Sequence, residues 1–200
     1  MTTLSPLLNA LADLAATEPR PEAQATARAL RAAADTAFPK QPPSVLSQGI
    51  LHAAALAGAH PATRLIQEAH TFLPWQDSPA ASLQPTSLRA IKSIVTLLGP
   101  GAPIPSGSRL FGLFYQAPGS YYPLHAHNAA ETYTILSGTA HWQAGDRRFT
   151  LSPGEVSYHP PNLPHAMRAG PEGFLATWRW SGDIGFDSYV MLPDPDSIQG

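Results

Sequence analysis

The second half of the chain is divided into short segments by glycine and proline, and this punctuation limits the fold more than any other feature. After Gly99, runs rich in aromatic and β-branched residues, such as RLFGLFYQ and GFLATWRW, are interrupted by Gly or Pro every six to ten residues. Many short strands at that spacing are typical of an antiparallel sandwich or barrel. The SG pair at 137–138 and the AGD sequence at 144–146 are predicted hairpin turns.

The first half is rich in alanine and leucine at helical spacing. Leucines recur three and four residues apart near the start, with Ser5 as the predicted N-cap and Pro6 at the first helical position. Further helices are predicted at about 21–37, 44–58, 61–73 and 86–98. We therefore expect a mainly β protein with α, in which residues 1–107 form a helical N-terminal segment and residues 108–200 form a β-barrel.

Composition excludes several classes of partner and ligand. Only 13% of residues are charged, the net charge is -2 and no Lys/Arg run occurs, so neither nucleic acid nor an anionic membrane is an expected partner. Without cysteine, any metal must be held by His, Asp, Glu or Tyr. The N-terminus lacks signal-peptide features and no long apolar window occurs, which favours a cytoplasmic protein that acts on a small molecule. Oligomeric state stays open, with a homodimer among the alternatives.

The segment GSYYPLHAHNAAETYTILSG at 119–138 concentrates metal ligands and tyrosines. His125 and His127 are two residues apart and can project from one face of a strand, and a turn through NAA can return Glu131 to the same point. A third imidazole, His165, lies in the proline-rich PPNLPHAM. Three imidazoles and a carboxylate suit one divalent transition metal (Zn, Fe, Mn, Ni or Co) and leave a position open for a substrate.

The aromatic residues near these ligands are candidates for the same cavity. Tyr133 follows Glu131 by two residues, so it faces the metal if Glu131 does, and a phenol beside a divalent cation is a candidate base. Tyr121 shares strand parity with His125, but a kink at Pro123 can change which of Tyr121 and Tyr122 faces inward. On the ATWRW strand two tryptophans share one face, a pattern more typical of packing; Trp178 is nevertheless a candidate for substrate contact.

Two motifs resemble those of the cupin superfamily. The first, G(X)5HXH(X)3-4E(X)6G, is matched at every fixed position by Gly119, His125, His127, Glu131 and Gly138. The second, G(X)5PXG(X)2H(X)3N, is matched by Gly154, Pro160 and His165, whereas Asn162 replaces its later Gly and Ala169 its Asn. This resemblance implies a C-terminal cupin, a double-stranded β-helix or jelly-roll barrel. The histidines outside both motifs receive no role: His52, His60, His70, His141 and His159.

With its helical N-terminal half, the chain also resembles the bacterial cupin-type dimethylsulfoniopropionate lyases. The resemblance implies that the four motif ligands hold the metal, that Tyr133 is the base and that Tyr122 lies in the site. It also implies a β-elimination that releases dimethyl sulfide and acrylate without redox chemistry. A sulfonium group is attracted by aromatic faces, for which Tyr121, Tyr122 and Trp178 are available.

Two other functions use a similar ligand set. A cupin dioxygenase or isomerase needs the same three histidines and one glutamate, and the tyrosine two residues after that glutamate distinguishes the lyase. A non-enzymatic metal sensor with a helical segment before its cupin usually holds zinc through Cys and His. This chain has no cysteine, which disfavours the sensor.

Overall fold

The computed structural model describes residues 2–196, in which helices precede most of the strands. The α-helices are α1 Ser5–Ala16, α2 Pro21–Ala32, α3 Ser47–Ala54 and α4 Ala62–Ala69, and short 3₁₀ helices occupy His70–Phe72, Ala81–Leu83 and Thr86–Ala90. Helix α1 has Leu4 at its N-cap position, so the prediction of a Ser5 cap is wrong. Ser5 Oγ instead donates to the carbonyl of Ala34 (2.6 Å), which ties α1 to the end of α2.

The strands confirm the predicted fold class, mainly β with an N-terminal helical segment. They are β1 Thr2–Thr3, β2 Ala37–Phe38, β3 Lys92–Gly99, β4 Ile104–Pro105, β5 Arg109–Gln116, β6 Tyr121–Ala126, β7 Ala130–Ala144, β8 Arg147–Leu151, β9 Val156–His159, β10 His165–Ser181 and β11 Val190–Met191. The first two form a small antiparallel pair. The other nine form one sheet.

Two long strands, β7 and β10, organise this sheet by pairing antiparallel along most of their length. The early part of β10 also pairs with β6 and its later part with β5, while β7 pairs with β8 near one end and β9 near the other. Within the described strands the hydrogen bonding ends at β4, β8, β9 and β11, so the sheet does not close into a complete barrel.

Glycines lie where the pairing of β7 with β10 is irregular. Gly138 and Gly173 lie on opposite strands with φ of 74° and 73°, a conformation that side chains with a Cβ rarely adopt. A Cβ on Gly138 would also collide with the carbonyl of Gly173. The predicted hairpin turn at 137–138 is therefore wrong, because this glycine lies inside β7. The turn predicted at 144–146 is confirmed between β7 and β8, with Gly145 at φ 57°.

The prediction of a helix over about 86–98 is also wrong. Thr86–Ala90 is a short 3₁₀ helix, and Lys92–Gly99 is strand β3, paired antiparallel with β5. Nearly every residue of this strand is buried, so its apolar run does not alternate with polar residues. Such a short buried run has no periodicity that separates a strand from a helix. Both β3 and β4 lie before the expected boundary at residue 107, yet both pair in the main sheet.

Alternating side chains divide the apolar core into two parts. On β5, Leu113 and Tyr115 pack with the leucines of α1 on the outer face of the sheet, whereas Phe114 packs inside with Tyr133 and Trp178. The helices therefore cover the outer face. The inner face is left to an aromatic-rich interior that contains the predicted ligands.

Candidate metal centre and active site

The four predicted ligands converge inside the sheet. His125 lies on β6 directly opposite His165 at the start of β10, and Glu131 lies on β7 opposite Trp180. His127 follows β6 in the turn toward β7. Nitrogens of the three histidines lie within 4.8 Å of one another. All four side chains are buried, so the spacing of the first motif brings these groups together away from bulk water.

Backbone carbonyls set the tautomer of each imidazole. The Nδ1 atoms of His125, His127 and His165 lie 2.8, 3.0 and 2.8 Å from carbonyl oxygens of Pro123, Ala129 and Leu163. A carbonyl only accepts, so each Nδ1 carries the hydrogen that it donates. In the neutral ring the lone pair is then on Nε2. This is the arrangement by which metal-binding histidines are oriented.

The atoms of Glu131 provide a direct test of whether a metal fits. Its Oε2 lies 3.2 Å from His127 Nε2 and 3.0 Å from His165 Nε2. With the hydrogens on Nδ1, lone pairs face a carboxylate oxygen, an arrangement that requires a positive charge between them. His165 Nε2 has no hydrogen-bond partner among the described residues. The four side chains therefore fit a divalent cation with nitrogen and oxygen ligands.

Protonation states agree with this assignment. Burial lowers the pKa of His125 well below its ordinary value, and the neighbouring His165 lowers it further. Burial raises the pKa of Glu131, but the neighbouring imidazoles, His127 foremost, outweigh this effect, so the net shift is well below the ordinary value. Trp180 Nε1 donates to the other oxygen, Oε1, at 2.6 Å. A neutral imidazole and a charged carboxylate are the forms that bind a metal.

The loop before His165 departs from the second cupin motif at residue 162 and keeps the turn that the motif's glycine supplies. Asn162 has φ 64°, the one positive φ at a non-glycine residue within 2–196. Asparagine tolerates this left-handed conformation better than most residues. Its backbone N–H donates to the carbonyl of His127 (2.8 Å), which joins the loops that carry two of the ligands.

His159 belongs to the cluster although sequence analysis gives it no role. It lies on β9 opposite Glu131, and its Nδ1 is 3.5 Å from Glu131 Oε2. Its Nε2 accepts a hydrogen bond from Trp142 Nε1 (2.8 Å). Burial, with a contribution from His165, lowers its pKa to about 4. No pattern within one strand could show that β9 pairs with the start of β7.

Tyrosines and tryptophans form the walls beside the ligands. The ring of Tyr122 stacks on His125 with centroids 4.2 Å apart, and Tyr133 packs edge-on against Phe114 at 5.4 Å. A small cavity of about 20 Å³ is lined by Tyr122, His125, Glu131, Tyr133, Trp178, Trp180 and Tyr189, among others. Tyrosine hydroxyls and metal ligands therefore share one enclosed, aromatic space. Tyr189 lies between β10 and β11 and belongs to no motif, so the sequence carries no signal for it.

The profile of the dimethylsulfoniopropionate lyase family matches residues 20–176. The chain belongs to this family. Among curated proteins, the dimethylsulfoniopropionate lyase DddQ of Ruegeria pomeroyi is 39% identical over 99 residues, so the aligned part spans about half (49%) of each chain.

Solved structures of the family share the fold. The crystal structure of DddQ from Ruegeria pomeroyi matches with a TM-score of 0.68 and 23% identity, covering 96% of this chain and 97% of that one. A chain from the crystal structures of the lyases RdDddP and RnDddQII also has a TM-score of 0.68, with 24% identity over 95% of this chain and 97% of that one. The lyase fold thus extends over the helical segment as well as the sheet. No helix within 2–196 has the length and hydropathy to cross a membrane.

Of the three predicted substrate contacts, two line the cavity in this structure and the third, Tyr121, does not. Tyr122 and Trp178 line it, whereas Tyr121 points away and donates to Asp194 (2.8 Å) with Arg168 over its ring. The pairing of β6 with β10 explains this, because its register shifts between His125 and Tyr122. Such a bulge reverses the parity of a strand. Parity with His125 left open which of Tyr121 and Tyr122 faces inward, and the bulge turns Tyr122 toward the cavity.

Proposed function

We propose that this protein is a metal-dependent carbon–sulfur lyase that cleaves dimethylsulfoniopropionate to dimethyl sulfide and acrylate. One observation carries the proposal. Three oriented imidazoles and the Glu131 carboxylate converge beside Tyr133 in a buried aromatic cavity. Membership of the lyase family supports the reaction class.

His125, His127, Glu131 and His165 would hold the ion, which is one of the first-row divalent metals that accept nitrogen and oxygen ligands. Bound there, the metal would act as a Lewis acid for the substrate carboxylate and stabilise the negative charge that develops beside it. Trp180 keeps Glu131 oriented through the 2.6 Å hydrogen bond to Oε1. The carboxylate end of the substrate would then bind at the ligand cluster.

Tyr133 is the proposed base. Its phenolate oxygen takes a proton from the carbon next to the substrate carboxylate, and the electron pair of that C–H bond forms the double bond of acrylate. The carbon–sulfur bond breaks at the same time, and its electron pair leaves with dimethyl sulfide. Burial raises the pKa of Tyr133 well above its ordinary value, and Glu131 raises it further. The phenolate therefore depends on positive charge at the ligand cluster.

Aromatic rings would bind the sulfonium end of the substrate. Tyr122, Trp178 and Trp180 line the same cavity, and each face that contacts the cation contributes about 0.5 to 2 kcal/mol. The cavity contains no described lysine or arginine to compete with a cationic substrate. A substrate with a carboxylate at one end and a sulfonium at the other therefore suits a cavity with a ligand cluster on one side and aromatic rings on the other.

The test compares Tyr133→Phe and Tyr122→Phe with the wild type. We expect Tyr133→Phe to reduce dimethyl sulfide release by at least about 100-fold, the usual contribution of a general base, while metal content stays at the wild-type level. Gas chromatography and metal analysis on the same preparations give both values. Full activity in Tyr133→Phe with loss in Tyr122→Phe would transfer the base role to Tyr122.

A further inference from the structure

Beside the ligand cluster, four buried polar side chains form a second hydrogen-bonded network. Lys92 Nζ donates to Gln84 Oε1 at 2.8 Å. Gln84 Nε2 lies 2.8 Å from the hydroxyl of Tyr122 and 2.9 Å from that of Tyr189, and the two hydroxyls are 2.8 Å apart. None of the four residues is more than 9% exposed. The network is therefore shielded from solvent along its whole length.

The direction of each hydrogen bond follows from Lys92. Its N–H groups require an acceptor, so the carbonyl oxygen of the Gln84 amide faces Lys92. The amide nitrogen of Gln84 then faces the phenols, and its two N–H groups are directed to the oxygens of Tyr122 and Tyr189. Both phenol oxygens are consequently hydrogen-bond acceptors. Replacing Lys92 by an apolar residue would remove the group that decides the orientation of the amide.

The network ends at the reaction cavity. Tyr122 and Tyr189 both line it, with ring centroids 4.2 Å and 5.5 Å from that of the ligand His125. Lys92 Nζ also lies 4.7 Å from the ring centroid of Tyr122. The side chains of Gln84 and Lys92 are behind the phenols and outside the cavity lining. Whatever they contribute to the reaction must pass through the two hydroxyls.

Burying the amine of Lys92 destabilises the folded state, because the amine loses its contacts with water. Lys92 is 3% exposed, and burial lowers its pKa to about 7, although the charge of Asp77 opposes the shift. An apolar residue at this position of β3 would avoid the cost of desolvating an amine. Costly polar groups next to a cavity are characteristic of functional sites.

We propose that Gln84, oriented by Lys92, positions the hydroxyls of Tyr122 and Tyr189 for proton transfer in the lyase cavity. Lys92 and Gln84 are thus positioning residues, and Tyr189 is a further residue of the active site. The inference rests on the proposed lyase function for its catalytic meaning. Its geometric content, two phenol oxygens that accept from one amide, is independent of the substrate.

Gln84→Glu and Lys92→Met test the proposal. The glutamate is nearly isosteric and keeps an acceptor for Lys92, but it cannot donate to the phenols. We expect kcat for dimethyl sulfide release to fall about tenfold or more in both variants, with KM within about twofold and metal content unchanged. Gln84→Glu should not melt below the wild type, because it gains an ion pair with Lys92. Lys92→Met should change Tm little, because the removal of a buried amine offsets the loss of the donor to Gln84 Oε1. Activity that falls only in proportion to Tm would overturn the proposal.

A substrate-free measurement separates this proposal from the lyase function. The ¹³Cζ resonances of labelled tyrosine report hydrogen bonding at the phenol oxygen, and the chain has six tyrosines. Gln84→Glu should shift two of these six resonances, those of Tyr122 and Tyr189. The variants Tyr122→Phe and Tyr189→Phe assign them, because each removes one resonance. Unchanged resonances in Gln84→Glu would contradict the positioning role even if the wild type is an active lyase. Gln116→Leu is the control, because this buried glutamine donates to backbone carbonyls of Ser120 and Met167. It should lower Tm and leave both phenol resonances in place.

Discussion

An ion pair between Glu18 and Arg179 ties the helical segment to the sheet, and its removal should be costly. Glu18 lies between α1 and α2, and its carboxylate accepts from Arg179 of β10 at 2.6 and 2.8 Å. Arg179 also donates to Thr132 Oγ1 at 2.8 Å. The side chains are only 11% and 5% exposed. The substitution Glu18→Gln keeps the shape and removes the charge that Arg179 faces.

The expected cost follows from what remains after the change. Breaking a buried pair by removing one partner costs about 3 to 5 kcal/mol, since the other charge stays buried. The low end applies here, because the glutamine oxygen and Thr132 still accept from Arg179. We therefore expect about 3 kcal/mol less stability at neutral pH. For a domain of this size that corresponds to a Tm lowered by about 6 to 12 °C.

The pH dependence gives a second signature. Burial raises the pKa of Glu18, but the hydrogen bonds and charge of Arg179, helped by Arg20, outweigh it and place the pKa below its ordinary value of 4.5. A group with a depressed folded-state pKa contributes stability above its unfolded pKa and loses it as pH falls through the folded pKa. The difference in Tm between wild type and variant should therefore be full at pH 7 and shrink below about pH 4.5.

Thermal unfolding followed by circular dichroism measures both effects. The matched control is Glu68→Gln, which removes the exposed partner of Arg64, whose side chain is 84% exposed. An exposed pair of this kind contributes less than about 1 kcal/mol. Equal, small shifts in the two variants would refute the claim that Arg179 relies on Glu18.

Two further predictions concern His159 and Gly112. His159→Leu should weaken metal binding about 10- to 100-fold by chelator competition, because the imidazole whose Nδ1 lies 3.5 Å from Glu131 Oε2 is then lost. The control is His141→Leu, at an exposed histidine on β7, and equal affinities in the two variants would contradict the role of His159. Gly112→Ala should lower the free energy of unfolding by about 3 kcal/mol in urea titration, because the new Cβ would collide with the carbonyl of Val95. Wild-type stability of this variant would show that β3 and β5 can separate.

The candidate metal ligands could be predicted from the sequence because most of them lie close together along the chain. His125 and His127 are two residues apart on one strand, and Glu131 follows after a short turn. Local geometry of that kind is readable from spacing. His165 is distant in sequence, and the second cupin motif identified it. In the structure the three histidines lie together, and Glu131 Oε2 lies beside His127 and His165.

Features that depend on pairing between strands could not be read in the same way. Strand parity could not choose between Tyr121 and Tyr122, and Tyr122 faces the cavity because β6 shifts register against β10. His159 joins the cluster only because β9 pairs with β7 at Glu131. Lys92 falls in the helix predicted at about 86–98, whereas its burial beside Gln84 requires the strand β3. In each case the deciding neighbour comes from a distant part of the chain.

The proposed elimination depends on a metal held by His125, His127, Glu131 and His165. The most direct test measures dimethyl sulfide in the headspace and acrylate in solution from one reaction of purified protein with dimethylsulfoniopropionate. Samples stripped with chelator and then reloaded with a single divalent metal are compared. We predict equal amounts of the two products, lost on stripping and restored by reloading. Release of neither product with any of zinc, iron, manganese, nickel or cobalt would contradict the lyase function.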